Sequence, residues 1–148
     1  YLLDEAFVGN DWESILGNLA NVRPEDWEWV APGGKRSIRE IVRHVGACKI
    51  MYQNQAFGDA SLTWDDPRVN GERETVTKEA AIAWLKTCQA RLRESIAALE
   101  DSQLLELRRH HSGRRKEIRW IISTMLQQDL YNAGEINYIR ALRQGNDD

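Results

Sequence analysis

The sequence lacks a long hydrophobic run, a surplus of basic residues and a signal-peptide pattern. No apolar stretch among its 148 residues approaches the roughly 18–20 residues needed to cross a bilayer. We therefore expect a cytoplasmic protein without a membrane partner. The formal net charge of −3 gives no general attraction to nucleic acid, so we expect no nucleic-acid partner either.

Cysteine is scarce as well. Cys48 and Cys88 are the only two, both fall in helical patterns, and they have no C-x-x-C spacing. We interpret them as small, reduced core residues, since this spacing is not typical of a disulfide framework or a redox motif.

The chain does contain helical periodicity over its whole length, with no strand signal of comparable strength. With 42% hydrophobic and 29% charged residues, it is typical of a globular chain, and its length predicts one domain over residues 1–148. The first predicted helix ends before Pro24 and carries one shared apolar face: Val8, Trp12, Ile15, Leu16 and Leu19.

Capping signals bound the other three predicted helices. Ser37 and Glu40 form a capping box that opens the second, and Gly58 is its expected end. Thr77 is the expected cap of the third, and the fourth is expected to run from just after Gly113 to about residue 143. The apolar faces of the second and third helices are predicted at Ile38, Ile41, Val42, Val45 and Tyr52, and at Ala80, Trp84, Cys88, Leu92, Ile96 and Leu99.

These elements predict an all-α fold, a four-helix bundle with a long connection between helices 2 and 3. Short connections join helices 1–2 and 3–4, while a polar stretch containing Pro67 and Gly71 separates helices 2 and 3. Bundles of this kind build ligand and metal sites between facing helices.

The fourth helix carries polar residues on the face that its apolar residues predict to be buried. That face is predicted to hold Trp120, Ile121, Thr124, Tyr131, Tyr138, Ile139 and Leu142. Gln128, Asn132 and Glu135 fall on it too, and an unpaired buried amide costs about 1–3 kcal/mol. The stripe therefore predicts a polar network or a site, and His44, at the flank of the second helix, is the candidate partner.

Two segments resemble the signatures of a known family. SIREIVRHV in the second helix and QQDLYNAGEINYIRAL in the fourth are similar to those of the DinB-like family, the DinB/YfiT-like metalloenzyme superfamily. The resemblance implies a four-helix bundle, often dimeric, with a metal held by one histidine of the second helix and two of the fourth. Some members transfer low-molecular-weight thiols.

Carried over by position, the metal ligands of the family fall on His44, Gln128 and Asn132, so two of the three histidines are replaced. One imidazole and two amide oxygens are poor ligands for zinc or nickel, although Glu135 can add a carboxylate oxygen. We expect either no metal or a weakly bound divalent ion, zinc or nickel. A soft site of His44, Cys48 and Glu135 is a less favoured alternative.

Two other features have candidate roles. The run RRHHSGRRK is interpreted as a solvated loop, and its histidines, His110 and His111, are expected at the opposite end of the bundle from Gln128. Three tryptophans are expected in the core, namely Trp12, Trp84 and Trp120. The other three are expected in connectors, where they cover the bundle end or line a pocket: Trp27, Trp29 and Trp64.

Two functional hypotheses follow. The first is a degenerate, non-catalytic or small-ligand-binding member of the family. The alternative is a metal-dependent thiol-transferase or hydrolase-like enzyme, with His44, Glu135 and Tyr131 as catalytic candidates. In either case we expect a homodimer and a small-molecule or thiol ligand.

Overall fold

The computed structural model describes residues 1–145, and within them the fold is all-α, as predicted. It contains α1 (Leu2–Val8), α2 (Ile15–Ala20), α3 (Ile38–Phe57), α4 (Pro67–Asn70), α5 (Lys78–Ala97) and α6 (Ile118–Gln144). Two short 3₁₀ turns, Pro24–Asp26 and Asp101–Leu105, and a two-stranded hairpin of β1 (Leu107–Arg109) and β2 (Arg115–Glu117) complete the described part. The predicted domain of residues 1–148 includes residues 146–148, which lie outside the described residues.

The first predicted helix is broken into α1 and α2, so the single helix over this region was a wrong prediction. The side chain of Asn10 accepts hydrogen bonds from the backbone N–H groups of Trp12 and Glu13, at 2.9 and 2.7 Å. Ser14 then caps α2 by accepting from the N–H of Gly17. These local side-chain caps compete with a continuous helix, and they leave Trp12 exposed rather than in the core.

The second predicted helix, α3, begins and ends where its capping signals indicated. Ser37 accepts from the N–H of Glu40, whose carboxylate accepts from the N–H of Ser37, and Gly58 follows the last turn. Its predicted apolar stripe is buried, and the helix packs against α5 and α6. This central helix positions the candidate site.

The connection from α3 to α5 contains the short helix α4 and a turn at Gly71. Gly71 has a φ of +63°, and a Cβ atom there would lie 2.3 Å from the Trp84 ring. Thr77 caps α5 by accepting from the N–H of Ala80, as predicted. The buried face of α5 differs from the prediction, since Ala80 is exposed and its buried residues are Ala81, Leu85, Cys88, Gln89 and Leu92.

The fourth long helix, α6, begins at Ile118 rather than just after Gly113. The intervening residues form the antiparallel hairpin, in which Arg109 pairs with Arg115 and the N–H of His110 donates to the carbonyl of Arg114. Gly113 supplies the left-handed turn with a φ of +80°. The predicted loop is therefore a short hairpin.

The buried face of α6 is rotated from the predicted stripe. It consists of Ile118, Ile121, Met125, Asp129, Asn132, Ala133, Ile136, Ile139 and Arg140. Ile121, Asn132 and Ile139 were placed correctly, whereas Trp120, Tyr131, Tyr138 and Leu142 are exposed. The apolar pattern misplaced the face because two of the buried positions carry ionisable residues, Asp129 and Arg140.

The tryptophans divide between core and surface. Trp27 is buried and its indole N–H donates to the carbonyl of Thr75 at 3.2 Å, while Trp29 and Trp84 pack against the main core cluster.

Within residues 1–145 no helix has the length and apolar character of a membrane span.

Candidate functional site

His44 lies on α3 and is half-buried. The Sγ atom of Cys48, one turn further along, is 3.5 Å from its Nε2. Burial lowers the pKa of His44; Arg36 and His111 lower it further, and Glu135 opposes them. His44 is therefore a neutral imidazole at pH 7, with one ring nitrogen able to accept and the other able to donate.

Glu135, the acidic member of the predicted polar stripe, forms an ion pair with Arg36. The guanidinium of Arg36 donates to the carboxylate, and both side chains are about one-third exposed, at 32% and 27%. The pair joins the segment before α3 to α6. It also engages the carboxylate that the sequence analysis named as able to add an oxygen ligand to a metal.

Gln128 and Asn132 contact each other along α6. Asn132 is buried, and its Nδ2 donates to the backbone carbonyl of Gln128 at 2.6 Å. Its Oδ1 is buried and has no hydrogen-bond partner within residues 1–145. Gln128 and Cys48 line the same small cavity of about 10 Å³. His44 and Gln128 thus both adjoin Cys48, but the convergence of His44, Gln128 and Asn132 in one pocket stays a prediction.

Two ionisable groups that line this cavity, Cys48 and Tyr52, are held in their neutral forms. Burial raises the pKa of the Cys48 thiol to about 11, and burial with the adjacent Cys48 raises the pKa of Tyr52 to about 12. A thiol with so high a pKa carries almost no thiolate at neutral pH, and the thiolate is the form that attacks electrophiles or binds metals.

The hairpin brings His110 and His111 onto α3, so their predicted place at the far end of the bundle was wrong. The ring of His111 lies 4.9 Å from the ring of Tyr52 and 5.7 Å from that of Trp64, and His110 lies 5.6 Å from Tyr52. The distance argument failed because residues 110–117 reverse direction as a hairpin instead of adding turns to α6. Even so, residues 1–145 hold no group of three His, Cys, Asp or Glu side chains arranged to bind a metal ion.

A buried ion pair, which the sequence analysis missed, lies behind the site. Lys49 Nζ donates to the Asp129 carboxylate at 2.6 and 2.8 Å and to the Gln89 Oε1 at 2.9 Å. The side chains of Lys49 and Asp129 are only 3% and 2% exposed. Burial raises the pKa of Asp129, and the Lys49 charge opposes that shift. The sequence did contain a signal for this pair, because Lys49 and Asp129 are charged residues at core positions of α3 and α6.

A wider cleft of about 400 Å³ opens beside His44. It is lined by Arg36, Glu40, Arg43, His44, Ala47, Trp64, Asn70 and Glu72. Trp64 therefore lines a pocket, as was predicted for a connector tryptophan. Arg36 is paired with Glu135 and Glu40 caps α3, whereas Arg43 is half-buried and has no hydrogen bond or ion pair within the described residues.

Tyr131, the third catalytic candidate, points away from this region. It is exposed on the outer face of α6, and it lines neither the cleft nor the small cavity. The structure thus brings His44 together with Cys48 and places Arg36, Glu135 and His111 near enough to affect its charge.

Comparison with known proteins gives one family. A model described as the DinB superfamily matches residues 10–136, from the segment before α2 to the middle of α6. No curated protein and no solved structure matches the chain.

Proposed function

The chain belongs to the DinB superfamily, and we propose that it is a non-catalytic member that binds a small anionic molecule in the cleft beside His44. The observation that carries this proposal is Arg43, a half-buried guanidinium without a partner among residues 1–145, in a cleft of about 400 Å³. Small-molecule sites have volumes of about 300–1,000 Å³ and a few fixed polar groups, and this cleft falls in that range.

The donor set supports a site that has lost the family metal. His44 offers one imidazole, Gln128 and Asn132 offer only neutral amide oxygens, and the Glu135 carboxylate is paired with Arg36. The Cys48 thiol is protonated because burial raises its pKa to about 11. Zinc and nickel favour imidazole or thiolate ligands, so these residues do not fit a tightly bound divalent metal.

The cleft lining suggests the chemistry of the ligand. A guanidinium recognises a carboxylate or phosphate through two parallel hydrogen bonds, and the Arg43 guanidinium is available for this. The Trp64 ring, about two-fifths exposed at 41%, offers a flat surface for an apolar or aromatic portion. The acidic side chains of Glu40 and Glu72 favour a ligand with a single negative charge over one with several.

Isothermal titration calorimetry with benzoate and with inorganic phosphate tests this proposal. We expect benzoate to bind more tightly, because it adds an aromatic ring for Trp64. Arg43→Gln should weaken binding about 10-fold or more, since a hydrogen bond to a charged group contributes about 1.5–3 kcal/mol. The matched control, Arg91→Gln, removes an exposed arginine of α5 outside the cleft and should leave affinity unchanged.

Two results would contradict the proposal. Equal affinity of benzoate for the parent and Arg43→Gln would remove the assigned role of this side chain. Turnover of a thiol or ester substrate that requires added zinc or nickel would favour the alternative, a metal-dependent thiol-transferase or hydrolase-like enzyme.

A further inference from the structure

The hairpin of β1 and β2 concentrates positive charge in a chain that is acidic overall. The run from Arg108 to Lys116 holds five arginine or lysine side chains and no acidic one, whereas the formal net charge of the chain is −3. The sequence alone favoured a solvated loop for this run. The structure instead folds it into a hydrogen-bonded hairpin that packs against α3, so its charges have a defined arrangement.

Like charges face each other across the two strands. Arg109 is directly opposite Arg115, and Arg108 is directly opposite Lys116. Side chains in such positions share one face of the hairpin, with Cβ atoms about 4.5–5.5 Å apart, and like charges there are destabilising. Two of the three strand pairs therefore weaken the hairpin unless an anion lies beside them.

The described chain supplies no carboxylate to the pair of Arg109 and Arg115. Glu106 and Glu117 flank the hairpin, and each forms its ion pair with another arginine. Within residues 1–145 the Arg109 side chain has no hydrogen bond or ion pair, and that of Arg115 makes one hydrogen bond, to a backbone carbonyl of β1 at 2.8 Å. Because a guanidinium has five N–H donors, most donors of this pair are available to a ligand.

A cleft of about 550 Å³ separates the hairpin from the end of α3. Arg108, Arg109 and Arg115 line it, and no acidic side chain of residues 1–145 does. Gly113 lines it too, and a Cβ atom added there would meet no atom within 4 Å, so the turn leaves the cleft open. The C-terminal end of α3 contributes about half a negative charge, which three guanidinium charges outweigh. The cleft therefore favours an anion.

Histidine rings hold the hairpin on α3. The rings of His111 and His110 lie 4.9 and 5.6 Å from the ring of Tyr52. A two-stranded hairpin is only marginally stable by itself, so these contacts keep the arginines in place. Donors that are already positioned bind a ligand with a smaller loss of conformational entropy.

This cleft is distinct from the one beside His44. The two share no lining residue, and Gln55 of the hairpin cleft lies about 18 Å further along α3 than Arg43. They also differ in charge, since two glutamates accompany the arginines beside His44 and none accompanies those of the hairpin. The hairpin cleft accordingly favours a group with more than one negative charge.

We propose that the hairpin cleft binds the phosphate or diphosphate group of a small molecule, with Arg109 and Arg115 as its main ligands. A guanidinium binds phosphate oxygens through two parallel hydrogen bonds, and two neighbouring guanidiniums can serve adjacent phosphoryl groups. The volume of the cleft is in the range of small-molecule sites and leaves room for the rest of the ligand. This site goes beyond the function proposed for the His44 cleft and does not depend on it.

Isothermal titration calorimetry with inorganic diphosphate, in low-salt buffer without divalent metal, tests the site. Arg109→Gln and Arg115→Gln should each weaken binding about 10-fold or more, because each removes hydrogen bonds to a charged group. The matched control, Arg114→Gln, removes an exposed arginine of the same hairpin that does not line the cleft, and it should leave the affinity nearly unchanged. Arg43→Gln should bind diphosphate as the parent does, so the proposals for the two clefts can fail separately.

Thermal melts separate a binding role of Arg109 from a structural one. Arg109→Gln removes a like-charge pair, so without diphosphate its melting temperature should be about 1–3 °C above that of the parent. Diphosphate should raise the melting temperature of the parent and of Arg114→Gln by mass action, and leave that of Arg109→Gln almost unchanged. An arginine that only stabilised the hairpin would give a lower melting temperature on replacement.

Four results would overturn the proposal. A folded parent that binds no diphosphate would remove the site, and equal losses of affinity in Arg109→Gln and Arg114→Gln would indicate diffuse attraction instead of a cleft. A lower melting temperature of Arg109→Gln with unchanged affinity would make this arginine structural. Tighter binding of a single-stranded oligonucleotide, or of phosphatidylcholine vesicles with added phosphatidic acid, would replace the small molecule by a nucleic acid or a membrane. Circular dichroism confirms that each variant is folded.

Discussion

Replacing Asp129 by asparagine removes the negative charge that balances Lys49 in the most deeply buried ion pair of the described chain. The substitution keeps the size of the side chain and one oxygen acceptor, but Lys49 then has only amide oxygens, those of Gln89 and of the new asparagine, and no negative charge as a partner. Both ionic side chains are about 97–98% buried, from their exposures of 3% and 2%, so solvent cannot compensate. Breaking such a pair from one side costs about 3–5 kcal/mol.

Urea unfolding followed by circular dichroism measures this loss. With a slope of about 2 kcal/mol per molar urea, a 4 kcal/mol loss lowers the midpoint by roughly 2 M. Lys49→Met should be similarly destabilising, since it leaves a buried carboxylate unpaired. The double variant, Lys49→Met with Asp129→Leu, should recover most of the loss, because well-packed apolar residues replace a buried pair at little or no cost.

The double-variant cycle supplies the refutation. If Asp129→Asn costs less than about 1 kcal/mol, the pair is not desolvated as the structure indicates. If the double variant is as unstable as the sum of Lys49→Met and Asp129→Leu measured separately, the two residues act independently and the assignment of a coupled pair is wrong.

Three further predictions follow from the cap, the histidines and the family positions. Ser37→Ala should lower the unfolding free energy by about 1 kcal/mol in urea unfolding, because it removes the N-cap of α3, whereas an unchanged midpoint would contradict the capping box. Burial lowers the pKa of all three histidines from 6.5, so the folded state favours their neutral forms. The free energy of unfolding should therefore be full above about pH 6.5 and fall as the pH drops from there through the lower pKa values of the folded state. Thermal melts from pH 8 to 5 check this, and the double variant His110→Asn, His111→Asn should show a smaller fall; an equal fall would exclude the hairpin histidines as its source. Gln128→His with Asn132→His should create a zinc site with the α3 histidine, so that added zinc raises the melting temperature of this variant and not of the parent; a folded variant that gains no zinc-dependent stability would contradict the convergence of these positions.

The elements fixed by local signals were predictable from the sequence. Ser37 with Glu40, and Thr77, cap α3 and α5 as expected, since each cap depends on residues within three positions of it. The apolar stripe of α3 was also correct because its buried positions are mainly hydrophobic. The family resemblance of two short segments agreed with the DinB superfamily match over residues 10–136.

The errors occurred where polar residues override the apolar pattern. Asp129 is buried because Lys49 pairs with it across the bundle, a contact between residues 80 positions apart that periodicity cannot reveal. Trp120 and Tyr131 are aromatic but exposed, so counting them as core residues placed the predicted buried face of α6 on the wrong side of the helix. His111 was misplaced because a turn at Gly113 folds the hairpin back onto α3.

The metal content of untagged protein tests the central claim most directly, namely that the family metal site has become a metal-free binding site. Elemental analysis after purification without an affinity-tag metal, followed by a zinc and nickel titration, gives the stoichiometry and affinity. We predict far less than one metal ion per chain and weak binding of both ions, because one imidazole and two neutral amide oxygens are poor ligands for them. One tightly bound zinc or nickel per chain, coordinated by nitrogen of His44, would contradict the account.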